Sequence, residues 1–162
     1  SILTFDGPRY AIEFKAASRP ADYQMNIYLA DDVAQPDLAN TDVLANIFGG
    51  STRSTVEMRI GTEGPWRPME YTEVIDPQCL RMHELSPLLD LESDGKKLDT
   101  QFGWKMDYPS KSRHMWKAAL PADLPTGTNT LTVRTTDQFG HTYEAKRVFR
   151  VRTPESMPAP GT

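Results

Sequence analysis

The sequence has little that would crosslink the chain, anchor it in a membrane or give it a strong charge, and each shortage excludes a class of protein. Cys79 is the single cysteine among 162 residues, so no disulfide can form within the chain. No apolar run approaches the roughly 20 residues that a membrane-spanning helix needs. The formal net charge is −4 at pH 7, whereas nucleic-acid binders usually carry a basic excess. The composition therefore predicts neither a membrane span nor a nucleic-acid partner.

Catalytic motifs are equally scarce. The 3 histidines lie far apart in the sequence, and none stands in an H-x-x-H or H-E-x-x-H arrangement that would place two ligands on one zinc ion. Residues 49–53 lack the final glycine of a nucleophile elbow. Residues 90–95 resemble the first half of a calcium loop, but Gln101 stands where a bidentate glutamate is needed. The sequence therefore predicts no catalytic residues and no metal ligands in this chain.

What the chain does contain is a series of short runs in which apolar and polar residues alternate. Tyr10, Ile12 and Phe14 form one run, and the same alternation returns at residues 56–60 and 131–135. Period-two alternation bounded by turn residues is typical of half-buried strands. Counting these runs gives seven or eight short strands. The predicted fold is therefore all-β, an immunoglobulin or fibronectin III-like β-sandwich.

Helical signals are confined to one place. Asp76 followed by Pro77 is a favourable helix start, and the apolar residues that follow do not alternate. At most one short helix is therefore expected. Residues 90–113 are polar and irregular, which predicts a long excursion from the sandwich.

The chain is expected to divide into three parts. Residues 1–30 are candidate terminal strands of a preceding domain, and the polar segment from Asp31 to Asp42 is interpreted as a loop or linker. Residues 31–153 are the expected sandwich. It is closed by a hairpin that seals a sheet edge, with Gly140 supplying a positive φ in the turn. The proline-containing residues 154–162 are expected to be a flexible tail.

Basic and aromatic side chains gather in one segment, which makes it a candidate binding or interdomain surface. Its members are Trp104, Lys105, Lys111, Arg113, His114, Trp116 and Lys117. The competing interpretation is a solvated loop that leads into a core strand. On a strand, Trp116 would share its face with Ala118 and Leu120, and such companions favour the core for Trp116.

Three stretches together resemble one family. The first stretch is residues 2–28, which begins with Ile2–Gly7 and ends with Pro20–Tyr28. The second is residues 56–69, and the third is residues 112–121 together with the closing hairpin that follows them. In order and spacing they resemble the C-terminal domain of bacterial calcineurin-like metallophosphoesterases, which are often exported proteins of Bacteroidetes.

The resemblance implies a role for the chain. In that family a preceding catalytic domain holds a dinuclear divalent metal site through motifs such as G-N-H-[ED] and G-H-x-H. Here Gly140–Tyr143 approaches the last motif, with a tyrosine in place of its second histidine. The resemblance therefore implies a non-catalytic accessory domain without a cofactor of its own. Its partner would be the catalytic domain of the same polypeptide. Its role would be to contribute to stability or to substrate access, and the protein would be exported or periplasmic.

A second function stays open at this point. An isolated immunoglobulin-like sandwich can also serve as an autonomous adhesive or carbohydrate-binding module. The two hypotheses differ in their partner, which is a catalytic domain in the first and an external ligand in the second.

Overall fold

A computed structural model describes residues 1–85, 92–93, 96–97 and 107–153. Strands dominate this part of the chain, with one α-helix, α1 (Pro77–Leu85), and one 3-10 helix (Gln35–Asn40). The strands are β1 (Ile2–Asp6), β2 (Arg9–Glu13), β3 (Met25–Tyr28), β4 (Asp32–Ala34), β5 (Asp42–Ile47), β6 (Thr55–Ile60), β7 (Arg67–Pro68), β8 (Glu70–Val74), β9 (Glu92–Ser93), β10 (Lys96–Lys97), β11 (Ser112–Ala119), β12 (Gly127–Thr136) and β13 (Thr142–Arg152).

Two sheets form the sandwich. One has the strand order β3-β5-β11-β8, and the other has the order β4-β13-β12-β6-β7. The predicted all-β sandwich is confirmed. The closing hairpin is not an edge, however, because β12 lies between β13 and β6, and β13 is flanked in turn by β4. The expectation that this hairpin seals a sheet edge is therefore wrong.

The inner faces of the two sheets share one apolar core. Alternation along β5 turns Val43, Ala45 and Ile47 inward, and β12 supplies Leu131 and Val133. Side chains from two facing sheets interdigitate in this way when one face of each sheet is apolar. The full set of buried core residues is Met25, Leu29, Val33, Leu38, Val43, Ala45, Ile47, Val56, Met58, Met69, Trp116, Leu120, Leu124, Leu131, Val133, Phe149 and Val151.

Trp116 is the bulkiest member of this core, and it is 2% exposed. Its ring meets the Tyr71 ring edge-on, with 5.5 Å between centroids. A Cβ atom on Gly50 would lie 2.6 Å from Cη2 of Trp116, so only glycine leaves the indole enough room. The interpretation of Trp116 as a core residue is confirmed.

The polar segment after residue 30 is more ordered than expected. It contains β4, which pairs in parallel with β13, and the 3-10 helix. Leu38 is fully buried within this helix. Arg152 forms a two-pronged ion pair with Asp32, with Nε 2.5 Å from Oδ1, which ties β4 to β13. The loop prediction was wrong because one buried leucine and one ion pair order the segment.

The expected boundary near residue 30 also needs correction. β3 pairs with β5 within the sandwich, and Met25 contributes to the core at 4% exposure. The sandwich therefore includes residues on the N-terminal side of residue 31. In contrast, β1 and β2 pair with each other in a separate two-stranded sheet. The tail at 154–162 lies outside the described residues.

The chain divides into two compact units. Unit 1 consists of Ser1–Thr72 and His114–Thr162, and unit 2 consists of Glu73–Arg113. In unit 2, α1 begins as the sequence predicts. The Oδ1 atom of Asp76 accepts hydrogen bonds from the backbone N–H groups of Gln78 and Cys79, at 2.8 and 3.0 Å. Such a cap satisfies backbone donors that the first turn of a helix leaves without partners.

Replacing the core tryptophan should weaken the domain strongly. Trp116→Ala removes a buried indole and leaves a cavity beside Gly50 and Tyr71, so the free energy of unfolding should fall by roughly 3–5 kcal/mol. Lys117→Ala is the matched control, because its ammonium makes only a half-exposed ion pair with Asp42 at 3.5 Å. The control should lose less than about 1 kcal/mol. Urea unfolding curves measure both, and a near-native midpoint for Trp116→Ala would reject its role in the core.

Candidate functional site

The basic and aromatic segment predicted as a surface is split by the alternation of β11. Trp104 and Lys105 lie outside the described residues. Trp116 points into the core and is therefore not available to a ligand. Lys111, Arg113 and His114 are exposed.

Two of these exposed side chains, Arg113 and His114, contact neighbouring residues. Arg113 Nε lies 3.9 Å from Oε1 of Glu73, and both side chains are at least half exposed. His114 Nδ1 lies 2.8 Å from the carbonyl oxygen of Gly50. Exposed ion pairs of this kind contribute little to stability. The geometry gives this segment no concave, convergent arrangement of polar groups, and its role as a surface stays a prediction.

Cys79, the single thiol, is exposed on α1. Partial desolvation and the neighbouring Asp76 carboxylate raise the pKa of this thiol. A raised pKa lowers the thiolate fraction at neutral pH, and the thiolate is the nucleophile. The geometry therefore does not activate this cysteine.

The most unusual surface is one face of the β1–β2 hairpin. The register places Leu3 opposite Ile12 and Phe5 opposite Tyr10. Residues directly opposite, and residues two apart on one strand, share a face of a sheet. These four apolar side chains therefore form one continuous face, which we call the hairpin face. Their exposures are 51% for Leu3, 69% for Phe5, 56% for Tyr10 and 44% for Ile12.

The hairpin is attached to the rest of unit 1 by aromatic contacts. Tyr10 meets Phe139 of the β12–β13 turn edge-on, with 5.9 Å between centroids. Phe14, just after β2, packs on Phe48 at 4.9 Å, and Tyr23 approaches the same ring at 5.1 Å. Aromatic pairs at such distances stabilise by about 0.5–1.5 kcal/mol beyond the area they bury. These contacts hold the hairpin in place and cover part of the hairpin face, at Tyr10 and Ile12, while all four of its side chains keep at least 44% of their area exposed.

A polar cluster reinforces the attachment. Asp137 Oδ1 accepts hydrogen bonds from the backbone N–H groups of Phe139 and His141, at 2.8 and 2.9 Å. Its Oδ2 lies 3.0 Å from Nδ1 of His141. On its other side, Nε2 of His141 is 3.8 Å from Oε1 of Glu13 on β2. One imidazole therefore bridges a turn of the sandwich and a strand of the hairpin.

The electrostatics of the cluster follow from these contacts. Burial of Asp137 acts to raise the pKa of its carboxyl, but hydrogen bonds from the His141 side chain and from two backbone N–H groups outweigh it and hold that pKa below its ordinary value. Desolvation, together with the carboxylates of Glu13 and Asp137, raises the pKa of Tyr143. Asp137 is therefore anionic at neutral pH and organises the turn, while the Tyr143 phenol stays protonated.

A small pocket lies beside this cluster. Thr135, Asp137, Tyr143, Gln24 and Glu13 supply its polar lining. Its volume of about 20 Å³ accommodates one or two water molecules and no organic substrate. Although the cluster pairs an imidazole with an orienting carboxylate, as many acid–base sites do, the pocket is too small for such chemistry. Its geometry suits structural attachment of the hairpin.

The outer face of the five-stranded sheet carries a second aromatic group. The guanidinium carbons of Arg59 and Arg134 lie 4.5 and 4.0 Å from the centroid of the Trp66 ring. Arg134 is also paired with Glu57, with 2.8 Å between Nη2 and Oε2. Because two cations of the chain already occupy positions over this ring, Trp66 is not an open platform for sugar stacking.

The residues that the structure describes do not fit the dinuclear metal site that the resemblance implies for the parent. Within the part of the chain that the structure describes, no three His, Cys, Asp or Glu residues come together in a way that could hold a metal ion. His141 and Tyr143, from the approximate G-H-x-H motif, are instead part of the hairpin attachment. No described helix is long and apolar enough to cross a membrane.

Sequence reasoning missed both the hairpin face and the cluster. The alternation of Tyr10, Ile12 and Phe14 correctly predicted a strand, but alternation does not say what covers the apolar face. The contact between Glu13 and His141 joins opposite ends of the chain, and no local pattern signals it. The turn prediction at Asp137–Gly140 is confirmed, because Gly140 adopts a φ of 89°.

Comparison with known proteins assigns the family. Residues 1–143 match the family described as the C terminal of calcineurin-like phosphoesterase. The chain belongs to this family, and the resemblance noted from the sequence is confirmed. No curated protein matches the chain. Among solved structures, the chain is similar to CopC from Methylosinus trichosporium OB3b, with 14% identity and a TM-score of 0.39 over 82% of this chain and 95% of that chain.

Removing the charge of Asp137 should make the stability less dependent on pH. A carboxyl whose pKa is depressed in the folded state stabilises above the unfolded-state pKa of about 4, and this stabilisation is lost as pH falls through the folded-state pKa. Asp137→Asn should therefore lose about 1–2 kcal/mol at pH 7. The difference from wild type should shrink at acidic pH, as the wild-type Asp137 carboxylate is protonated below its lowered folded-state pKa.

Urea unfolding of both proteins across this pH range measures the difference. Gln138→Ala is the matched control, since it changes an exposed residue of the same turn without changing a titrating group. Its difference from wild type should stay constant with pH. A difference for Asp137→Asn that is equally large at both ends of the range would show that the carboxylate charge contributes nothing.

Proposed function

We propose that this chain is a non-catalytic C-terminal accessory domain of a calcineurin-like metallophosphoesterase. The parent would hydrolyse phosphate esters at a dinuclear divalent metal site in its catalytic domain, and this domain would contribute to stability or to substrate access. The family match over residues 1–143 carries the proposal. The proposal also includes an exported or periplasmic location of the parent, as the resemblance implies.

The chemistry of the described residues supports a non-catalytic role. Two-metal catalysis needs several carboxylate and imidazole ligands that converge on both ions. The carboxylates and imidazole that do converge, from Glu13, Asp137 and His141, are used to join the hairpin to the β12–β13 turn. The adjoining pocket of about 20 Å³ is far smaller than the roughly 300 Å³ or more of ordinary ligand sites.

The rival hypothesis is an autonomous adhesive or carbohydrate-binding module. Sugar-binding modules of this kind present an aromatic ring that is free to stack on a sugar. Of the tryptophans that the structure describes, Trp116 is in the core and Trp66 is held between the sheet and the guanidinium groups of Arg59 and Arg134. Neither of these tryptophans offers a sugar-stacking platform, and the family match favours the accessory role.

The proposal is tested with the parent phosphoesterase and with this chain alone. The isolated chain should retain no stoichiometric manganese, iron or zinc after dialysis, and it should not hydrolyse p-nitrophenyl phosphate. The manganese-loaded parent should do so. A parent that ends before Ser1 should show either a lower melting temperature, if the domain stabilises, or an altered kcat/KM at an unchanged melting temperature, if it shapes access.

Three results would contradict the proposal. One is turnover by the isolated chain that scales with its concentration and survives repurification. Another is a truncated parent that matches the full-length enzyme in both melting temperature and kcat/KM. The third is strong binding of the isolated chain on a glycan array, which would favour the carbohydrate-binding module.

A further inference from the structure

We infer that the hairpin face, formed by Leu3, Phe5, Tyr10 and Ile12, is the surface on which the catalytic domain of the same polypeptide docks. This inference rests on the proposed function and adds to it the place of contact. It depends on three properties of the face, which are its exposure, its attachment and its size.

The exposure of the hairpin face is unusual for apolar side chains. All four members are between 44% and 69% exposed, and they are neighbours across the two strands. The opposite face is mixed in composition, with Ile2, Thr4, Asp6, Arg9, Ala11 and Glu13. Four neighbouring apolar side chains with this much exposed area are typical of a surface that another body covers.

The attachment of the hairpin fixes how the face is presented. An isolated two-stranded hairpin is marginally stable in water, and β1 and β2 pair only with each other among the described strands. The contact of Tyr10 with Phe139 and the bridge from Glu13 through His141 to Asp137 hold it from one side. The sandwich therefore positions the hairpin and covers only part of its apolar face, with Leu3 and Phe5 the members that no described ring contact covers.

The size of the face indicates a tethered partner. Four side chains of this kind at these exposures present on the order of 400 Å² of apolar area. A stable complex between separate proteins buries about 800 Å² on each partner. A face of half that size suits a partner on the same chain, because a short tether raises the effective concentration to the millimolar range.

The family identifies that partner. The matched region is the C-terminal part of a phosphoesterase, so the catalytic domain precedes it on the polypeptide. The catalytic domain is therefore tethered to the hairpin by the polypeptide itself. A second copy of this chain, the other candidate occupant, would have no such tether.

The test uses the full-length phosphoesterase and limited thermolysin digestion. Phe5→Ser removes the most exposed aromatic ring of the hairpin face. Loss of one aromatic anchor from a docked interface should open it about tenfold more often, and cleavage between the domains should accelerate by that factor. Leu3→Ser should also accelerate cleavage between the domains. Val148→Ser is the matched control, since Val148 is an apolar residue of β13 that is 59% exposed and outside the hairpin.

The isolated chain provides the folding control. Phe5→Ser should leave its melting temperature unchanged, because the ring is mostly exposed there. The inference is overturned if Phe5→Ser and Leu3→Ser are both cleaved at the Val148→Ser rate in the full-length protein. It is also overturned if these changes abolish a dimer of the full-length protein and leave its interdomain cleavage unchanged, which would make a second copy the occupant. In either case an effect of deleting the whole domain would leave the proposed function standing.

Discussion

The burial of one apolar layer between the two sheets is the interaction on which the rest of the domain depends. Trp116 fills the space between the sheets at 2% exposure, and it can do so only because Gly50 lacks a side chain. β4 and the 3-10 helix with Leu38 then cover the edge beside β13. The β1–β2 hairpin contributes no residue to this buried layer, and its apolar face stays largely exposed.

The exclusion of the hairpin connects the fold to the proposed function. A domain that is complete on its own does not need a further apolar face, whereas an accessory domain needs a surface that recognises its neighbour. In the role proposed for this domain, the carboxylates of Glu13 and Asp137 and the imidazole of His141 position that surface, because they join the hairpin to the β12–β13 turn. Residues that in another setting would be candidates for acid–base or metal chemistry are here used for positioning.

Much of the fold was predictable because strand and turn formation are local. Alternation at residues 56–60 and 131–135 predicted β6 and β12, and Asp76–Pro77 predicted the start of α1. β4 was not predictable, since three residues show no period, and its pairing depends on the distant Arg152. The candidate site was less predictable still. The composition of the basic and aromatic segment made it a candidate surface. The hairpin face could not be found in this way, because its exposure depends on tertiary packing, which the local sequence does not show.

Hydrogen–deuterium exchange at the amides of residues 2–13 is the most direct test of the central claim, that the catalytic domain covers the hairpin. The experiment compares the isolated chain with the full-length phosphoesterase under the same conditions. If the hairpin is docked, its amides should exchange at least several-fold more slowly in the full-length protein, while those of the β12–β13 core should be unchanged. Equal exchange of residues 2–13 in both proteins would contradict the account.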